Sequence, residues 1–291
     1  MSSPPPKVGV ASPIVTRYPG AHGEWESGAG IAELAAIAAD ADALGYDFLT
    51  CSEHVAVPVE VARERGGTYW DPLSTFGFLA ARTRRIGLVT QVLVLGYHHP
   101  LEIAKRYGTL DEISGGRVTL GVGVGSLREE FDLLGASFDD RGARADDAMR
   151  ALRSSLGRNV VEFHGRSHDY VDMVVDPCAA HPIPLWVGGR TRRSLRRAVE
   201  LGDGWLPFAL GGRELAAMLG EFDLPAGFDV VLAVGGLDPI GEPDRVRDRI
   251  GRLGEVGATR VVAGFTADSV DHYREQLAAL ADMYALEAMT P

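Results

Sequence analysis

The sequence predicts an α/β fold and, within that class, a closed (β/α)8 TIM barrel. Three observations carry the prediction. Short β-branched apolar runs alternate with longer segments of helical period along the whole chain, the pattern of repeated strand–helix units and a parallel sheet. Eight such units fit into 291 residues, which suits a barrel whose usual size is about 250 residues with room for insertions. The alternative, a doubly wound open sheet, needs a nucleotide fingerprint, and "GVGVGS" does not complete one. Gly121 and Gly123 have the spacing, but Ser126 stands where GxGxxG requires its third glycine.

The units follow in order. "KVGVAS" opens the chain as a strand, and "IAELAAIAADADALG" follows with helical spacing and a terminal glycine. "DFLTCSEH" (47–54) is the second strand. After a polar loop, "DPLSTFGFLAART" starts a helix with Asp71 as N-cap and Pro72 at the first helical position. The third strand, "RIGLVTQVLVL", leads to the helix "PLEIAKRYGTLDEISGG", with His99 standing before Pro100 where a cap is needed. "RVTLGVGVGS" (117–126) is the fourth strand, and its helix, from about Gly142 to Leu156, is entered through "LREEFDLLGASFDDRG". "IPLWVGG" with "RTRRSLRRAVELG" makes the fifth unit and "GWLPF" with "GRELAAMLGEF" the sixth. "FDVVLAVGG" with "EPDRVRDRIGRLGEVG" and "TRVVAGF" with "SVDHYREQLAALADMYA" complete the set. Residues 157–182 alternate apolar and polar positions around a His-Gly turn, so they are expected to form a hairpin inserted between units four and five of a single domain spanning 1–291.

Composition excludes several function classes. A formal net charge of −11 leaves no basic stripe for a nucleic acid, with "RTRRSLRR" (190–197) the local exception. Cys51 and Cys178 lack CxxC spacing, so neither a disulfide framework nor a metal site is expected. No run of about 18 apolar residues occurs and no basic-then-apolar leader opens the chain. A cytoplasmic protein with a small-molecule substrate and no membrane partner is the expectation. The apolar faces of the early helices allow a homodimer without establishing one.

In such a barrel the active site forms at the C-terminal strand ends. Those ends carry Ser52, Glu53 and His54; Val94 to His99, including Tyr97 and His98; Gly123 to Ser126; and Gly188 to Thr191. An imidazole beside a carboxylate suits acid–base chemistry, which makes His54 and Glu53 the candidate catalytic pair. Adjacent residues on a strand face opposite sides, so only one of them lines the mouth directly, and either could instead cap the next loop. "VGGRT" follows a strand and opens a helix; its free N–H groups, with Arg190 and Thr191, offer an anion site, against the alternative of a plain glycine turn. Tyr69 and Trp70, in the loop over the second strand, could wall an apolar substrate pocket or pack beneath it. This inventory of glycines, an anion cradle and one histidine suits a bound organic cofactor.

"TRRIGLVTQVLVLGYHHPLEIAKRYGTLDEISGGRVTLGVGVGSLREEFDLLG", "FLTCSEH" and "PLWVGGRTRRSLRRAVELGDGWLP" together resemble the luciferase-like monooxygenase superfamily, in particular its coenzyme F420-dependent oxidoreductase branch. The resemblance covers essentially the whole chain. It implies F420, or alternatively FMN, at the barrel mouth, with a non-prolyl cis peptide at Gln91–Val92 behind the ring. By the same resemblance Thr90, Gln91, Val92, Val94, Gly123, Gly125, Ser126, Val187, Gly188, Gly189, Arg190 and Thr191 surround the cofactor. His54 stands near its reactive face, with Glu53 beside it, and Tyr69, Trp70, Tyr97 and His98 are left to the substrate. Relatives often carry glutamate or tryptophan where this chain has Ser126, which excludes a glutamate acid there. The implied activity is hydride transfer to or from a small organic substrate. An FMN-dependent monooxygenase and a non-catalytic cofactor-binding barrel are the alternatives.

Overall fold

The computed structural model describes residues 5–20 and 22–287. The strands are β1 (Lys7–Ala11), β2 (Phe48–Cys51), β3 (Gly87–Thr90), β4 (Leu93–Val94), β5 (Val118–Gly123), β6 (Val160–His164), β7 (Asp169–Val174), β8 (Leu185–Gly188), β9 (Gly204–Leu206), β10 (Asp229–Leu237) and β11 (Arg260–Phe265). The helices are α1 (Ile31–Leu44), α2 (Val59–Arg65), α3 (Pro72–Ala80), α4 (Pro100–Ser114), α5 (Arg128–Leu133), α6 (Arg141–Ser155), α7 (Arg192–Leu201), α8 (Gly212–Leu219), α9 (Pro243–Glu255) and α10 (Val270–Tyr284). All the pairings around the barrel are parallel, and the circle closes where β11 returns to β1. The expected (β/α)8 barrel is therefore the fold, with β3 and β4 together serving as its third strand and both pairing β5.

Strand alternation divides the barrel wall into two faces. Phe48, Val89, Trp186, Leu206, Val231 and Val262, with Ala11, fill the interior. The Phe48 and Trp186 rings meet edge to face at 5.5 Å, a favoured aromatic geometry. Gly9 is glycine because a Cβ there would lie 2.5 Å from the Phe48 ring. Below this layer Arg260 closes the base on Asp229 (2.9 Å) and on Asp47. Outward-facing residues such as Leu88, Leu120, Leu185 and Val261 pack beneath the helices.

The top of the barrel is different. Two and four residues after interior Val231 come Ala233 and Gly235, and both are exposed while their neighbours Leu232 and Val234 are buried. The interior face of β10 thus opens to solvent at the mouth, and a Cβ at Gly235 would meet nothing within 4 Å.

The third strand, which by its pattern alone reads as one run over 85–95, is interrupted where the family resemblance implies a cis peptide. It breaks after Thr90, the Gln91–Val92 peptide is cis, and the ladder resumes at Leu93. Val92 is directed into the barrel, where a Cβ on Gly123 or on Gly188 would lie 2.7 and 2.9 Å from its methyl groups. The glycines that end β5 and β8 therefore leave room for a side chain of the neighbouring strand.

Two caps read from the sequence are in place. Asp71 Oδ1 accepts from Ser74 N at 2.7 Å and His99 Nδ1 accepts from Leu101 N at 3.2 Å. Residues 53–72, expected as a polar loop, contain α2, and the approach to α6 contains α5. β6 and β7 form the expected antiparallel hairpin. Asp147 of α6 holds its turn by accepting from the backbone N–H groups of Arg166, Ser167 and His168, and the His168 ring stands edge-on to His99 at 5.3 Å.

Gly123→Ala is expected to cost about 1–3 kcal/mol in urea unfolding through overpacking against Val92. Adding Val92→Ala should recover most of that loss. A double variant no more stable than Gly123→Ala alone would refute the proposed contact.

Candidate active site

β2 ends at Cys51, and the two residues that matter follow Ser52. Because neighbouring residues of an extended segment point in opposite directions, Glu53 and His54 enter different environments. His54 Nδ1 lies 2.8 Å from Glu130 Oε2, on α5. Glu130 is 1% exposed, and its carboxylate also accepts from the backbone N–H groups of Val55 and Ala56 (3.2 Å for Ala56) and from the Tyr97 hydroxyl at 2.6 Å. Burial would push the Glu130 carboxyl up. The hydrogen bonds from His54, Tyr97 and Val55, with the charge of His54, outweigh it and hold the group below its ordinary value. Burial and the Glu130 carboxylate push the Tyr97 phenol well above its ordinary value, so it remains a donor.

An ionised carboxylate only accepts, so the proton between the pair sits on His54 Nδ1. Nε2 is thereby left for chemistry. Among the described residues no hydrogen bond engages it, and the His54 side chain keeps 24% of its surface exposed. The Tyr69 ring packs on the imidazole at 4.4 Å. Tyr69 is placed by an antiparallel bridge to Thr16, in the loop after β1.

Glu53 takes the other direction. Its Oε2 accepts from Val94 N at 2.7 Å and its Oε1 lies 2.7 Å from His98 Nε2. His98 Nδ1 is 3.9 Å from Glu102, which pairs with Arg106 at 2.7 Å. Burial alone would lower the His98 pKa, but the Glu53 hydrogen bond and charge, with Glu102, raise it above the ordinary value. Glu53 and His98, expected respectively as a catalytic and a substrate residue, thus form a buried brace for the strand that resumes after Val92. The structure does not bring either to His54.

The other expected residues also divide. Gln91 follows interior Val89 by two, and its side-chain Oε1 is buried with no hydrogen-bond partner among the described residues. Val92 fills the space between Gly123 and Gly188, so Gly123 is covered. Thr90 is fully buried, with its hydroxyl on Gly121 O at 2.8 Å, and Val187 packs in the outer core, so neither side chain faces the mouth. Val94 is buried against Gly125 (φ 78), and Ser126 is exposed.

Gly188 leads to Gly189, whose φ of 142 leaves no room for a side chain over Ser194. Thr191 caps α7 by accepting from Ser194 N. Arg190 and Arg193 are exposed and, among the described residues, without a carboxylate partner; Arg190 lies over the Phe208 ring at 5.8 Å. Trp70 lines a groove of about 310 Å³ with Ile31 of α1 and Phe78 of α3.

Glu130 was not singled out by sequence reasoning. The available signal was its position: Leu127, Glu130, Phe131 and Leu134 share one side of a short helix, a lone acid among apolar residues. Among the described residues there is no group of three metal-ligating side chains, and no helix is long and apolar enough to cross a membrane.

Residues 8–224 match the family model described as luciferase-like monooxygenase. An F420-dependent glucose-6-phosphate dehydrogenase of Intrasporangium calvum is 29% identical over 202 residues, which is 66% of this chain and 59% of that one. The 4-hydroxyprotoasukamycin monooxygenase of Streptomyces nodosus subsp. asukaensis is 36% identical over 184 residues, 63% of this chain and 45% of that one. The crystal structure of monooxygenase RslO1 from Streptomyces bottropensis has a TM-score of 0.73 at 20% identity, covering 95% of this chain and 98% of that one, a likeness of fold.

The raised His98 pKa has a defined consequence. The Glu53–His98 pair contributes stability below the unfolded value of about 6.5 and loses it as pH climbs through the raised folded value. The melting temperature should carry a component that falls over that interval, and His98→Gln should lack it. Glu130→Gln replaces one acceptor oxygen by a donor facing donors, and should cost about 1.5–3 kcal/mol in thermal unfolding.

Proposed function

The chain belongs to the luciferase-like monooxygenase family, and from that premise we propose that it is a cytoplasmic F420-dependent oxidoreductase. In this reading it moves a hydride between carbon 5 of the deazaflavin and a small unsaturated or hydroxylated organic substrate, in the reducing direction. The observation that carries the proposal is His54, with Nδ1 fixed by buried Glu130 and Nε2 free beside an open mouth.

The residues present fit such a group. A flat ring needs a floor without side chains, and Ala233 and Gly235 supply one on β10. A phosphate needs N–H donors and positive charge, and Gly189 to Thr191 lead into α7, whose first turn holds no acidic residue. F420 also carries carboxylates beyond its phosphate, for which exposed Arg190 and Arg193 are suitable partners. This basic rim, in a chain of net charge −11, is what favours F420 over FMN.

When bound, F420 supplies a two-electron hydride carrier. The chain supplies the proton handling. His54 Nε2 holds or delivers a proton at the substrate oxygen, a role open to it because Ser126 offers no carboxylic acid. Glu130 keeps the imidazole in the required tautomer and steadies the imidazolium whenever Nε2 is protonated. Tyr69, stacked edge-on against the ring, shields one side of it from water.

FMN-dependent oxygenation is the second reading, favoured by the 36% identity to a monooxygenase and by the shared outline of the two rings. Fluorescence titration with each cofactor separates them, with F420 expected to bind the more tightly. Tight FMN binding with no F420 binding would sink the first reading. His54→Ala should bind the cofactor as the wild type does and lose about 100-fold or more in kcat, the usual scale for a proton-transfer residue. Turnover at the wild-type rate would remove His54 from the mechanism.

A further inference from the structure

Glu130 receives one hydrogen bond more than its burial requires. Its Oε1 accepts from the Val55 and Ala56 N–H groups, and its Oε2 faces His54 Nδ1 at 2.8 Å, so both oxygens already have partners. The Tyr97 hydroxyl adds a fourth donor at 2.6 Å, on the same Oε2 that faces the imidazole. Packing does not call for that hydroxyl, because the Tyr97 ring lies edge-on to Phe131 at 5.0 Å and a phenylalanine would make the same contact. The hydroxyl is nonetheless held in register from two sides. Tyr97 ends a 3-10 turn (Leu95–Tyr97) that follows β4, whose Val94 N–H is bound by Glu53, and Phe131 is the residue after Glu130 on α5. Burial and the Glu130 carboxylate keep the phenol protonated, so towards this oxygen it acts as a donor.

We propose that Tyr97 is a positioning residue that acts on His54 through Glu130: by drawing charge from the shared Oε2, its hydroxyl limits how firmly the carboxylate holds a proton on the imidazole, and so sets the pH range in which His54 gives one up. A carboxylate oxygen engaged in a short, charge-assisted bond has less charge left for its second donor. Removing the hydroxyl therefore favours the imidazolium. The groups that face the imidazole are Glu130 from α5 and Tyr69 from the segment before α3, with Tyr97 behind Glu130. Glu53 adds its charge at Tyr97, and Arg65 of α2 and Tyr18 bear on Tyr69. Among the described residues, Tyr97 alone of these bonds the oxygen that His54 uses.

The test is Tyr97→Phe, read by NMR titration of the His54 ring protons in the protein without cofactor, with His54→Asn identifying the resonance by its loss. The midpoint, which belongs to the His54–Glu130 pair, should rise by about half to one pH unit, or about three- to tenfold in the proton equilibrium. A ring-fluorinated tyrosine at position 97, a stronger donor of nearly the same shape, should move it the other way. If Tyr97 only fills space or satisfies Glu130, both replacements change the melting temperature and leave the midpoint in place. An unmoved midpoint, or one that falls in Tyr97→Phe, overturns the inference. The consequence for turnover rests on the reading of His54 as the proton-handling group: in the reducing direction, the alkaline fall of kcat/KM should move up by the same interval in Tyr97→Phe. A raised midpoint with an unmoved alkaline fall would overturn that reading of His54 and support the linkage from Tyr97 through Glu130.

Discussion

A carboxylate removed from water must be hydrogen-bonded through both oxygens, because an unpaired buried charge costs several kcal/mol. Glu130 meets that requirement with donors from two separate segments: His54, Val55 and Ala56 after β2, and Tyr97 after β4. It sits itself on a third, α5, held down by Phe131, whose ring lies where a Cβ on Gly96 or Gly125 would be. Three loops that are distant in sequence are thereby locked into one arrangement around a single imidazole. Glu53 repeats the device one residue away, tying β2 to the strand that resumes at Leu93. Two buried acids thus tie the segments around the site to one another.

The shape of the mouth follows from exchange of volume between strands. Val92 occupies space that the side chains of residues 123 and 188 would need, while Ala233 and Gly235 leave the opposite wall bare. The cavity is therefore lopsided, filled on the side of β3 and open on the side of β10. A planar ligand entering it would lie against backbone on one side and against Val92 on the other.

Much of the fold was legible because its signals are local. Hydrophobic period separates strands from helices within a dozen residues, and Asp71-Pro72 and His99-Pro100 announce their helix starts with no help from the rest of the chain. The break in the third strand was legible only through resemblance, since "VTQVLVL" has the pattern of an uninterrupted strand. The division of labour between Glu53 and His54 was half legible. Alternation requires that they part, but which of them meets the mouth depends on α5 and on His98, which sequence neighbours do not reveal. Glu130 was largely hidden for the same reason: its apolar neighbours mark its side of α5, but its partners are tertiary, and in the sequence it is one acid among several in "LREEFDLLG".

The bridge between Thr16 and Tyr69 makes the wall above His54 the joint property of two loops. In an antiparallel pair directly opposed residues share a face and their neighbours take the other, which is why Tyr69 covers the histidine and Trp70 takes the other direction. A one-residue change in the length of either loop would slip this pairing and exchange the two aromatic rings. Loop length here acts as a selector of which ring stands over His54, so an insertion or deletion in either loop remakes this wall without altering any residue in the barrel.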